Sequence, residues 1–148
     1  MDEHGICANT IKTANEWLTF IMNELGWEDK RKSYMALYLV LQALRDQLNT
    51  DDAAEFGVQL PMLIRVLYYE GWNTNLKNRR PKRKDFFLSI KEQFKDSKEI
   101  KPETVASAVF KLLSNRVSVG EIKDIRKLLP YELRKLWPKE ELARYQAA

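Results

Sequence analysis

From Ala14 onward the apolar residues Trp17, Leu18, Ile21, Met22 and Leu25 recur at helical spacing, and Gly26 follows where a helix takes a left-handed C-terminal cap. The pattern predicts an amphipathic helix. A second helix is predicted from near Arg31 to about Leu48. Between Tyr34 and Leu44 its only strongly polar side chain is Gln42, so it is apolar nearly all round and belongs at the centre of a bundle. A third segment starts after Asn49 or Thr50, either of which can cap it. Asp51, Asp52 and Glu55 stand where the helix dipole favours negative charge. Leu60-Pro61 then either opens a fourth helix, with Pro at its first position, or kinks a continuous one, and the apolar run Met62 to Tyr69 leads to Gly71.

Displacing the chain against itself by 69 residues brings the same pattern back without a gap, Glu16–Tyr68 falling on Asp85–Trp137. Trp17 and Leu18 meet Phe86 and Phe87, Ile21 meets Ile90, and Val40 meets Val109. Leu44 meets Leu113, and Leu60-Pro61 meets Leu129-Pro130. The capping box Ser118-Val119-Gly120-Glu121 falls on Asn49-Thr50-Asp51-Asp52. The expectation is an all-α fold: a compact helical bundle of two similar three-to-four-helix units related by internal duplication. Unit one spans 14–72, a basic linker 73–84, unit two 85–138, and a short C-terminal helix or tail 139–148. The central helices, around Val40 and Val109, are expected to share one core, making residues 1–148 a single domain.

Net charge is +4, but six of the 25 basic residues (Lys77, Arg79, Arg80, Lys82, Arg83 and Lys84) lie within eight positions. The other 19 face 21 acidic residues, so the basic character belongs to one segment. That segment is a candidate anion or nucleic-acid contact. It carries no interleaved aromatic residue for base stacking, and Pro81 divides it. Cys7 is the only cysteine, the N-terminus is acidic rather than signal-like, and no long apolar run follows. A cytoplasmic protein without membrane spans is therefore expected.

Gln59-Leu-Pro-Met-Leu-Ile-Arg-Val-Leu-Tyr-Tyr-Glu-Gly-Trp72 resembles the signature of the bacterial family catalogued as domain of unknown function 2267. Asn15-Glu-Trp-Leu18, Ala43-Leu-Arg-Asp-Gln-Leu48, and Gly120-Glu-Ile near Leu129-Pro130 resemble it too, so the likeness runs from Ala14 to Pro138. The resemblance implies an all-α bacterial protein. It implies no reaction, ligand or catalytic residue.

Chemistry is sparse. Asp52 with Glu55, and Glu121 with Asp124, are carboxylate pairs at metal-binding or proton-transfer spacing, yet both stand in first helical turns where the dipole alone favours them. His4 and Cys7 cannot complete a zinc site and are expected in a loose N-terminal tail. No Gly-rich phosphate loop is present. No metal, cofactor or catalytic residue is therefore predicted. Tyr69, Glu70 and Trp72, with Arg45 and Arg65 as neighbours, are candidate binding residues at a cleft between the units, since aromatic residues and arginine dominate recognition surfaces. The leading expectation is a noncatalytic protein-binding or adaptor module. The alternative is nonspecific nucleic-acid binding through 77–84, and a third reading is an enzyme with a carboxylate or Arg/Tyr site in the cleft. Self-association is compatible with the pattern.

Overall fold

The structure, a computed structural model, describes residues 3–73 and 83–139. Among these every regular element is a helix: α1 (Glu3–Leu25), α2 (Lys30–Asp46), α3 (Thr50–Gly57), α4 (Met62–Tyr69), α5 (Arg83–Gln93), α6 (Pro102–Arg116), α7 (Val119–Leu128) and α8 (Tyr131–Arg134). The fold is all-α. None of these helices is long and apolar enough to cross a membrane.

α1 ends as the sequence requires. Gly26 takes φ +67°, and the Trp27 amide reaches back to the Met22 carbonyl at 2.9 Å, the longer bond of a Schellman turn. Its beginning differs from expectation, because the helix runs back to Glu3 and carries the exposed Cys7 where a loose tail was predicted. Extending a helix that is already nucleated fixes one residue per hydrogen bond gained, so the packed part beyond Ala14 can carry further turns. The Thr10 hydroxyl adds a bond to the Ile6 carbonyl at 2.8 Å.

Asp29 caps α2, accepting from the amides of Arg31 and Lys32. Ala36, Leu37, Val40, Leu41 and Leu44 are fully buried, and the helix packs against α1, α4, α5 and α6. Tyr34, stacked on Tyr38, remains partly in solvent, so the burial of α2 is central but not complete all round. Asn49 caps α3 through the Asp52 amide at 2.8 Å.

At Leu60-Pro61 the chain breaks rather than kinks. Pro61 is extended (φ −60°, ψ 158°) and serves as the N-cap of α4, one position earlier than a first helical proline would stand. Proline offers no amide to the preceding turn and disfavours helical geometry in the residue before it, so α3 cannot run through. Pro130 does the same before α8, with φ −65° and ψ 156°.

The first residues of α3 and α7, Thr50 and Val119, are 69 positions apart, as are those of α4 and α8, Met62 and Tyr131. Burial follows the same spacing. Trp17 and Phe86, Ile21 and Ile90, Val40 and Val109, Ile64 and Leu133, and Tyr68 and Trp137 are all buried in one continuous apolar cluster. That cluster joins both halves of the chain. α1 packs on α6 as well as α2, α5 packs on α2 as well as α6, and α2 meets α6 directly.

Of the expected segments, Lys77, Arg79, Arg80 and Lys82 lie outside the described residues, as does 140–148 of the C-terminal segment. Arg83 and Lys84 open α5.

Candidate functional site

One turn of α2 decides how the end of α4 is held. The last carbonyls of a helix have no partner within it, and here α2 supplies them. Gln42 donates from Nε2 to the carbonyls of Leu67 (3.3 Å) and Glu70 (2.7 Å). Arg45, three residues on and only 5% exposed, donates from Nη1 to the carbonyls of Tyr68 (3.0 Å) and Glu70 (2.8 Å). Its Nε and Nη2 bind both oxygens of Asp46, at 2.9 and 3.3 Å. The buried guanidinium is thus matched by a carboxylate and two carbonyls, the condition under which a charge is tolerated away from water.

Arg65 performs the corresponding task at the end of α3. Nε donates to the Gly57 carbonyl, and Nη2 donates to those of Val58 and Leu60. The tyrosines complete the clamp: Tyr68 donates its hydroxyl to the Ala53 carbonyl at 2.8 Å and Tyr69 to that of Ala54 at 3.1 Å. Burial, followed by the adjacent Tyr69, pushes the Tyr68 phenol far above its ordinary pKa, which keeps it a neutral donor. Gly57 makes room for this packing. A Cβ there would fall on the Tyr69 phenol oxygen and ring.

Beyond α4, Gly71 adopts φ +71° and the Trp72 amide bonds the Tyr69 carbonyl at 3.0 Å. This turn lays the indole against the Tyr69 ring, with centroids 5.4 Å apart and planes at 27°. Trp72 thereby forms one wall of a groove of about 790 Å³. Leu39, Gln42, Ala43 and Asp46, one face of α2, form a second wall, and Leu88, Ser89 and Glu92 of α5 form the third. Gln47, Asn49 and Thr50 line the end nearest α3. The groove lies between the first and second halves of the chain.

Of the predicted binding residues, the structure therefore brings Arg45 and Trp72 to this groove. Tyr69 supports Trp72 from behind, the Glu70 carbonyl accepts from Gln42 and Arg45, and Arg65 is engaged at the α3 end. The sequence reading missed Gln42, Asp46, Leu88 and Glu92 as groove residues. A signal existed for Gln42, the one strongly polar side chain of the apolar run from Tyr34 to Leu44. Leu88, 62% exposed, had none beyond its helical phase.

The two carboxylate pairs come near one another. Partial burial raises the Glu121 carboxyl above the ordinary range, and the charges of Glu55, Asp124 and Asp52 raise it further. Among the described residues no group of three or more His, Cys, Asp or Glu side chains is arranged to hold a metal ion. The groove lining includes neither His nor Cys, and of its two carboxylates Asp46 is bound by Arg45 and Glu92 pairs with Lys95 at 3.1 Å. What the arrangement offers is hydrogen bonding beside apolar surface.

Fold and groove together define a class: all-α bundle proteins with a groove between two sets of helices. The chain belongs to the family DUF2267, described as an uncharacterized conserved protein, whose model matches residues 14–136. A comparison with curated proteins finds no match.

Proposed function

We propose that the protein is a noncatalytic binding module that holds a segment of a partner protein in the groove between α2 and α5. The observation that carries this reading is the groove itself. Its apolar residues Leu39, Ala43, Leu88 and Trp72 alternate with the amide and hydroxyl groups of Gln42, Gln47, Asn49, Thr50 and Ser89. Concave sites that combine apolar area with a few placed polar groups are where ligands bind. Tryptophan is among the residues that most often serve as energetic anchors of recognition surfaces, and Trp72 lines this groove. The strap of Arg45 and Gln42 supports it by fixing the turn that presents Trp72.

The test is selection from a peptide-display library on the full chain, followed by affinity measurement with two variants. Trp72→Ala and Leu88→Glu are each expected to weaken selected peptides at least about tenfold while the helical circular dichroism stays unchanged. Peptides that bind both variants as well as the wild type would place recognition elsewhere.

The charge density of Lys77 to Lys84 supports a second reading, nonspecific nucleic-acid binding. Under it the protein shifts DNA in a gel at low salt, and replacing the six basic residues by Gln abolishes the shift. Absence of a shift in the wild type refutes it. An enzyme in the same cleft has no further support from the lining.

A further inference from the structure

A second, shallower groove of about 810 Å³ runs along α1. Thr19, Phe20 and Asn23 on its α1 wall and Arg116 at the end of α6 stand 69 positions from Leu88, Ser89, Glu92 and Gln47 of the α2–α5 groove, in that order. Each groove thus follows a contact between a helix of one half and a helix of the other, α1 with α6 here and α5 with α2 there. The turns of α1 that precede Ala14, where the family match begins, lengthen this groove with Ala8, Ile11 and Lys12. Ile11 is 56% exposed, so the packing of α1 does not account for it. Asn15, Thr19 and Asn23, exposed and four residues apart, set one row of hydrogen-bonding groups along the groove.

Charge separates the two grooves. In the lining of the α2–α5 groove Asp46 and Glu92 stand against Arg45, whereas along α1 Lys12 and Arg116 stand against Glu16 alone. Lys30 adds a third cation at the rim, where its ammonium donates to Asn15 Oδ1 at 3.1 Å. Glu16 meets Arg116 only at 3.8 Å, with side chains 43% and 40% exposed, a pair too solvated to cancel the excess. The occupant that fits is an acidic amphipathic helix. Its apolar side meets Ala8, Ile11 and Phe20, and its carboxylates meet the cations. From Ala8 to Asn23 the groove follows about 22 Å of helix, which accommodates about four turns laid alongside. A second copy that met this groove with its own would oppose like charges. Acyl chains would leave Asn15, Thr19 and Asn23 without partners, whereas the polar side chains of a helix can bond them.

We infer that the groove along α1 is a second binding site, separate from that between α2 and α5, which takes an acidic amphipathic helix of a partner protein. The test is selection of displayed helical peptides, about five turns long, on the full chain carrying Trp72→Ala and Leu88→Glu. With the α2–α5 groove disabled in this way, the failure of one site's reading is seen apart from the other's. Selected peptides are expected to carry net negative charge. In fluorescence anisotropy they should bind the wild type and Leu88→Glu alike, and lose at least about tenfold in affinity for Ile11→Glu and for Lys12→Glu, with circular dichroism unchanged. Replacing their Asp and Glu by Lys should abolish binding to the wild type and restore it to the Lys12→Glu, Arg116→Glu double variant. Should Arg116→Glu disturb α6, Lys12→Glu alone carries the charge reversal. A selection that yields no binder, peptides without net negative charge, or peptides that bind Ile11→Glu as tightly as the wild type overturns the inference. So does co-sedimentation of the wild type with phosphatidylglycerol vesicles that Ile11→Glu loses, because the face would then serve a lipid surface.

Discussion

Arg45 is the residue on which the first half of the chain closes, because its guanidinium joins α2 to the last carbonyls of α4 and to Asp46 at the groove. Arg45→Met keeps most of the side-chain volume but removes four hydrogen bonds to a buried charge and takes the side-chain donor from the Tyr68 carbonyl, while Gln42 still donates to that of Glu70. It is expected to cost about 2–3 kcal/mol in urea denaturation. Trp72 emission is expected to shift to the red as its turn loosens. Gly57→Ala drives a methyl into the Tyr69 phenol and is expected to cost about 1–3 kcal/mol by overpacking. Glu121 acts in the opposite sense. Its raised folded pKa means that the native state holds this proton more tightly than the unfolded chain does. The stability conferred by the proton is complete below the ordinary Glu value and is lost as pH rises through the raised one. Ionised Glu121 therefore costs stability near neutrality, so Glu121→Gln is expected to raise Tm at pH 7. The gain should vanish below about pH 4 and shrink in salt.

At the scale of elements, boundaries written in local chemistry were legible. Gly26 stops α1, and Asn49 and Ser118 cap α3 and α7. Each Leu-Pro pair read equally as a kink or a new start, and the structure decides for a new start. Asn49→Ala and Ser118→Ala are each expected to lower stability by about 1 kcal/mol in thermal or urea melts. A loss at only one site would show that the two caps do unequal work. The early turns of α1 were not legible, because no cap or apolar face marks Glu3 and the helix there is an extension of one packed further on. Arg45 and Trp72 were singled out as neighbours, but the reason they are neighbours was hidden. The carbonyls that bind Arg45 belong to residues 23 and 25 positions later, and nothing in local spacing pairs them. Leu88 was hidden for a similar reason, since only the packing of α5 beside α2 gives it a groove to line.

For the whole molecule, the cross-packing of α1 on α6 and α5 on α2 ties the two halves through their longest helices. We propose that the halves are copies of one duplicated unit, a reading supported by the shared displacement of helix starts and of buried positions. Because the apolar cluster is continuous, Val109→Ala, deep in the second half, is expected to lower by about 2–3 kcal/mol a single unfolding transition seen alike by Trp fluorescence and circular dichroism. Two separated transitions would mean that each half keeps its own core. Placed between the halves, the groove depends on both, so the proposed recognition and the folding of the chain would share the α2–α5 contact. The most direct test of the account is amide chemical-shift mapping of the labelled full chain with a display-selected peptide. Shifts are predicted to cluster at Gln42, Gln47, Trp72 and Ser89 and to disappear in Trp72→Ala. Shifts that cluster away from the α2–α5 groove, or persist without the indole, would contradict it.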